Sequence, residues 1–223
     1  MLLESHSWTI LTPALKMINR FERKYIIDLA TYKAIQAYLK HFVDPDKHTG
    51  TFGKYHVMSI YYDTDDYHSF TEKIDGEKIR KKFRIRVYKE FGSDKVSKKF
   101  YEIKNRNNQI VFKERSSFLE MKNIKPKILI HYIRQPLVSR STPTVRITFD
   151  SCLKYRTNDL RLIAKNTDNY FIKPNFFIME IKYNKVFPRW ISYMIKKHNL
   201  SVRTYSKYCN GLIDSFQRIE KFI

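Results

Sequence analysis

With 223 residues, 43% of them hydrophobic, and only five glycines and seven prolines, the chain can build one sizeable core, which excludes low complexity and long disordered linkers. Lys and Arg number 43 against 22 Asp and Glu, a net of +21, which points to an anionic partner: nucleic acid, nucleotide, inorganic polyphosphate or a membrane surface. Cys152 and Cys209 show no pairing pattern, which argues against a disulfide framework and a thiolate metal site and indicates a reducing compartment.

Residues 1–19 read as a leader, with Pro13 breaking any long helix, and residues 20–223 as a single domain. The first twenty residues lack a basic region followed by a continuous apolar core, and no stretch approaches the length of a membrane span, so the expectation is a soluble, cytoplasmic protein. Residues 20–28 alternate as a strand, with Glu22 and Lys24 on one face and Phe21, Tyr25 and Ile27 on the other. Asp28 is placed to cap a helix over 30–42, which carries Ile35, Tyr38, Leu39 and Phe42 at helical spacing and ends before Pro45. A loop with Gly50 and Gly53 leads into a β-branched and aromatic strand over 55–63. A short helix over 67–73 and a turn at Asp75-Gly76 follow.

Residues 82–88 then alternate Phe83, Ile85 and Val87 with Arg84 and Arg86. Two guanidinium groups a strand-step apart suit a polyphosphate, although an outer sheet face washed by solvent would show the same pattern. Residues 100–106 set Glu102 and Lys104 opposite Tyr101 and Ile103, and Asn107-Asn108 predicts a hairpin turn into a strand over 110–118 that brings Lys113 and Arg115 together. A helix is expected around 127–134. Strands follow over 144–150, with Arg146, Thr148 and Asp150 on one face, over 160–164, and over 177–183, with Glu180 and Lys182 on one face. Pro188 opens a final helical region with two stripes, Ile191, Met194, Ile195 and His198, then Leu212, Ile213, Phe216 and Ile219.

Glu-x-Lys thus recurs inside three strands, at Glu22/Lys24, Glu102/Lys104 and Glu180/Lys182. Together with Arg84, Arg86, Arg115, Arg146 and Asp150, these strands carry one charged and one apolar face. A sheet that closes can hold the charges inside, with helices on its apolar outside. Arginine forks match phosphate oxygens, and carboxylates among such cations make sense as ligands of Mg²⁺ or Mn²⁺. They also make sense as partners of neighbouring Lys and Arg: Glu22 and Glu102 fit either role, and Glu180 is assigned to metal. No Walker A loop, dinucleotide fingerprint, RNA-binding module or ligand-spaced histidine cluster is present, so no specific nucleic acid is expected.

The motifs Arg-Phe-Glu-Arg-Lys-Tyr (20–25), Ser-Ile-Tyr-Tyr-Asp-Thr (59–64), Phe-Arg-Ile-Arg-Val-Tyr (83–88), Tyr-Glu-Ile-Lys (101–104), Arg-Ile-Thr-Phe-Asp (146–150), Met-Glu-Ile-Lys-Tyr (179–183) and Ser-Lys-Tyr-Cys-Asn-Gly (206–211) occur in that order. Together they resemble the VTC-type polyphosphate polymerase domain of the triphosphate tunnel (CYTH-like) superfamily. The resemblance implies an α+β fold: a closed eight-stranded antiparallel β-barrel, or tunnel, with helices packed on the outside. It also implies that ATP binds by its triphosphate and passes its γ-phosphoryl group to a growing inorganic polyphosphate, with Mn²⁺ or Mg²⁺ required. Carried over by position, Lys24, Arg84, Arg86, Lys104, Arg115, Arg146 and Lys207 contact phosphate and Glu180 holds the metal. Lys113 and Lys182 share the charged strand faces and complete the candidate set.

The first strand departs from the superfamily's Glu-x-Glu-x-Lys, because Arg20 replaces the first acid; this favours a polymerase over a two-metal hydrolase. The connection between Arg115 and Arg146 is short for the family, which puts a phosphate ligand or a covering helix there in doubt. Asp63 and Tyr62 are read as structural and Asp150 as either structural or catalytic. With no regulatory domain or membrane-spanning tail, coupling to export falls to a membrane or export partner. The competing readings are a triphosphatase acting on tripolyphosphate or an organic triphosphate, and a non-catalytic module binding polyphosphate or RNA.

Overall fold

Period-two alternation dominates the chain, and the folded molecule follows it. The computed structural model describes residues 21–92, 96–107, 110–114, 123–184 and 187–221, with backbone alone at 110–114. The described residues form β1 (Phe21–Asp28), α1 (Leu29–Leu39), β2 (Val43–Pro45), β3 (Tyr55–Asp63), α2 (His68–Ile74), β4 (Ile79–Glu90) and β5 (Phe100–Asn107). After these come β6 (Ile110–Glu114), β7 (Lys125–Ser139), β8 (Arg146–Arg156), β9 (Asn169–Tyr170), β10 (Phe176–Tyr183), α3 (Arg189–Lys197) and α4 (Lys207–Glu220). One antiparallel sheet runs in the order β1-β10-β8-β7-β3-β4-β5-β6, with β2 added to β7 and β9 to β8. The leader, Arg20 and Arg115 lie outside the described residues, as does the end of the strand expected over 110–118.

The eight-strand path matches the expectation, but its closure does not. Among the described residues no ladder joins the two ends, β1 and β6, although their Cα atoms come within 8 Å. β1 pairs with β10 on one side only, and at its other edge the Lys24 carbonyl accepts from the Arg203 N–H at 2.8 Å. The connection between α3 and α4 therefore occupies backbone positions that a closing ladder would need. The sheet is curled, with a seam.

Its two faces are separately packed. Tyr25, Ile27, Ile147, Phe149, Met179 and Ile181 form an outer apolar layer with Ile35 and Leu39 of α1 and Ile191 and Met194 of α3. Asp28 caps α1 as expected, accepting from the Thr31 N–H at 2.8 Å. α4 departs from the expected placement of all helices outside. It lies on the inner face, where Tyr208, Cys209 and Leu212 pack with Val57, Tyr61, Ile128, Ile130, Tyr132 and Tyr155. Gly211 permits that approach: a Cβ there would stand 3.1 Å from Ile128 Cδ1 and 3.3 Å from Ile130 Cδ1. Gly211→Val is expected to destabilise the fold by about 1–3 kcal/mol through overpacking, read as a lower urea midpoint at unchanged slope.

Two sequence expectations fail here. The helix around 127–134 is instead the centre of β7. Ile128 to Tyr132 are all buried, so the strand is covered on both faces and shows no period-two signal. Residues 160–164 form no strand. Arg156 gathers this segment instead, its Nε donating to the Asp159 carbonyl at 2.5 Å and its Nη2 to the Arg161 carbonyl, while the two-residue β9 takes the place beside β8.

Candidate functional site

Strand parity brings the charges together. Glu22 and Lys24 of β1 pair in register with Lys182 and Glu180 of β10, Arg84 pairs with Glu102, and Lys82 with Lys104. These side chains meet α4 around one cavity, lined by eleven Lys and Arg side chains and only two carboxylates, Glu22 and Glu180. The expected Lys24, Arg84, Arg86, Lys104, Lys182 and Lys207 all line it.

The inner part of the cluster is tightly paired. Glu102, fully buried, takes Arg84 Nε at 2.8 Å and Nη2 at 2.7 Å on its Oε2. Asp150, also fully buried, receives the Arg134 fork at 2.6 and 2.7 Å and Lys207 Nζ at 2.6 Å. Burial works against the Asp150 charge, but Arg134 and Lys207 hold its carboxyl below the usual range. Asp150 thus fixes two cations from different elements. Arg86 donates from Nε to Ser59 Oγ at 2.8 Å. Lys82 donates to Ser206 Oγ at 2.8 Å, at the N-cap of α4, whose positive dipole end adds potential at the cavity.

Glu22 and Glu180 stand apart from these forks. Glu22 Oε1 lies 2.9 Å from Lys24 Nζ, and Glu180 Oε1 lies 2.5 Å from Lys182 Nζ. Burial raises Glu22, but Lys104, with Lys24 and Lys182, outweighs both that and the charge of Glu180 and brings it down to about 2. Glu180 is likewise held well below the usual carboxylate range by Lys182 and Lys24, against its burial. Two ionised carboxylates on adjacent strands suit a hard divalent cation, whose remaining positions are commonly filled by phosphate oxygens and water. Among the described residues no group of three or more His, Cys, Asp or Glu could hold a metal unaided. Glu102, engaged by Arg84, is less available for that role.

Several lining residues were absent from the sequence reading. Arg134 and Tyr132 were hidden by the mistaken helix, so the short connection before Arg146 does supply a cation to the site. Lys73, Arg80, Lys82 and Arg106 also line the cavity, and continuing the alternation of β4 and β5 by one or two steps would have found three of them. Arg146, by contrast, is not among the lining residues: Asp46 holds its Nη2 at 3.1 Å. Lys113 lies opposite Lys104 in the backbone register. Asp63 is structural, accepting from the Ser69 and Phe70 N–H groups at 2.9 and 3.1 Å and from the Tyr208 hydroxyl.

No helix among the described residues is long and apolar enough to cross a membrane. No curated protein matches the chain in sequence. Among solved structures it is similar to PH1819 from Pyrococcus horikoshii OT3, at 14% identity and a TM-score of 0.49, covering 89% of this chain and 98% of that one. It is also similar to HpAC1 from Hippeastrum, for which a dominant triphosphatase activity is described, at 10% identity and a TM-score of 0.48 over 87% and 96% of the two chains. The sequence pattern of the VTC domain matches residues 19–122 and 106–216, so that nearly the whole chain is covered and the protein belongs to the VTC domain family.

Proposed function

We propose that this protein is a metal-dependent polyphosphate polymerase that binds ATP by its triphosphate and transfers the γ-phosphoryl group to inorganic polyphosphate. The observation that carries this is the composition of one cavity: eleven cations around two ionised carboxylates on neighbouring strands. Membership of the VTC domain family supports it. In this reading the curled sheet acts as a tunnel wall around the substrate, with the β1–β6 seam as its closure.

Lys24, Arg84, Arg86, Lys104, Arg134, Lys182 and Lys207 grip phosphate oxygens, while Glu22 and Glu180 would hold Mg²⁺ or Mn²⁺. The metal supplies neutralisation of charge on the transferred group. The side chains contribute alignment and fixed positive charge, and such a transfer needs no side-chain nucleophile. Arg86, enclosed and backed by Ser59, and the Arg134 fork, backed by Asp150, are pre-set before substrate arrives. Arg146, tied to Asp46, is left out of the grip.

The test is incubation of purified protein with ATP and Mn²⁺, resolving chain polyphosphate from orthophosphate. Chain product with stoichiometric ADP is expected. Orthophosphate as the sole product would assign a triphosphatase instead, and polyanion binding without turnover would assign a binding module.

A further inference from the structure

Tyr61 belongs to no charged pattern in the sequence, yet its hydroxyl sits where positive charge converges. The residue is 6% exposed and its ring stacks on Tyr208 with centroids 5.2 Å apart. Arg84 Nη1 donates to the Tyr61 hydroxyl oxygen at 3.3 Å. Arg86 and Lys82 on β4, Lys207 at the start of α4 and Lys24 on β1 all act on it electrostatically. The nearby carboxylates are already committed: Glu102 to Arg84, Asp150 to Arg134 and Lys207, Glu22 to Lys24, and Glu180 to Lys182. The adjacent Tyr208 is different, because its hydroxyl donates to buried Asp63 and so keeps its proton.

We propose that Tyr61 is a phosphate-binding residue that doubles as a resident counter-anion: its phenolate balances Arg84, Arg86 and Lys207 until a phosphate oxygen enters among them, whereupon the phenol takes one proton from solvent and donates it in a hydrogen bond to the phosphate. This rests on the triphosphate-binding reading above. The electrostatics agree with the geometry. Burial pushes the Tyr61 phenol up, but Arg84 and Arg86, with Lys207, pull it down to about 7. In the same cavity burial outweighs Arg134 and Arg86 at Tyr132 and pushes that phenol up to about 12. Two phenols driven apart in one site mark different proton roles.

The consequence has a definite sign. Above about pH 7 the empty site holds phenolate and each bound phosphate chain takes up a proton, so affinity falls as pH rises. The experiment has two readouts. First, the ultraviolet tyrosinate band of the wild-type protein near pH 8.5, where ordinary tyrosines at about 10 remain protonated, is measured as a difference against Tyr61→Phe, before and after sodium tripolyphosphate. A band that the ligand bleaches is expected. Second, the tripolyphosphate Kd is followed by calorimetry across pH 7 to 9 in both proteins. Lys104, brought to about 8 by burial and by Lys24 and Lys182 against the support of Glu22, and the ligand's own protons contribute equally to both proteins and cancel. The wild-type affinity is expected to fall by about tenfold per pH unit relative to Tyr61→Phe.

Absence of the band from the empty wild-type protein, or its persistence in the complex, overturns the inference without touching the function proposed. Parallel pH profiles overturn it too. Failure of the wild-type protein to bind tripolyphosphate at any pH defeats the triphosphate reading itself, and with it the phosphate contact assigned to Tyr61.

Discussion

Arg84→Ala is expected to lower turnover by about 10²–10³ and to unfold at a temperature lower by on the order of 10 °C. The two losses have separate origins. Removing the guanidinium takes away a charged donor at the phosphates, which for a preorganised group costs about 10²–10³ in rate. It also takes from Glu102, which is fully buried, the two charged bonds that Arg84 donates. Breaking a buried ion pair by removing one member costs about 3–5 kcal/mol, and in a chain of this size each kcal/mol shifts the melting temperature by about 2–4 °C. The double variant Arg84→Ala/Glu102→Ala separates the two, because removing both partners relieves the buried charge and restores most of the stability while turnover stays low. Recovery of activity in the double variant would refute a direct role for Arg84 at the phosphate.

Glu180→Gln should give the complementary pattern: kcat down by about 10²–10³ with Mn²⁺, and metal-free tripolyphosphate binding unchanged or tighter. The amide has nearly the same shape, but it carries no charge to hold a divalent cation and no longer neutralises Lys182 and Lys24. Binding of phosphate, which competes with Glu180 for those lysines, therefore does not suffer. A variant with normal kcat and lowered stability would reduce Glu180 to a counter-ion. Calorimetry with Mn²⁺ and steady-state kinetics together decide the point.

What the sequence revealed tracks how each element is covered. The strand holding Arg84 and Arg86, and those holding the Glu-x-Lys pairs, have one charged and one apolar face, so period two exposes them and their side of the sheet at once. β7 has buried residues on both faces through Ile128 to Tyr132, so its pattern is continuous and was mistaken for a helix, hiding Arg134. The placement of α4 was not legible either. Its stripe of Leu212 and Phe216 shows that one face is buried but not against which side of a sheet. The clue is Gly211, whose missing side chain makes room for Ile128 and Ile130, and this becomes readable only once β7 is a strand. The approach of β5 to β1 across the seam, which puts Lys104 Nζ 3.7 Å from Glu22, is a product of curvature that no local pattern encodes.

The passage of the chain from α3 on one face to α4 on the other ties assembly of the site to the end of folding. Lys24 Nζ binds the Tyr205 carbonyl at 3.0 Å across 181 positions of sequence, and Lys207 reaches Asp150 only when the last helix has entered the curled sheet. Contacts of such separation form late, because the loop entropy is lost before they repay it. A chain still emerging, or one cut short before α4, therefore carries the lysines and arginines of the strands without the converged grip. On the function proposed, the grip on a polyanion is complete only with α4 in place, so a bound phosphate chain would report that the last helix has docked.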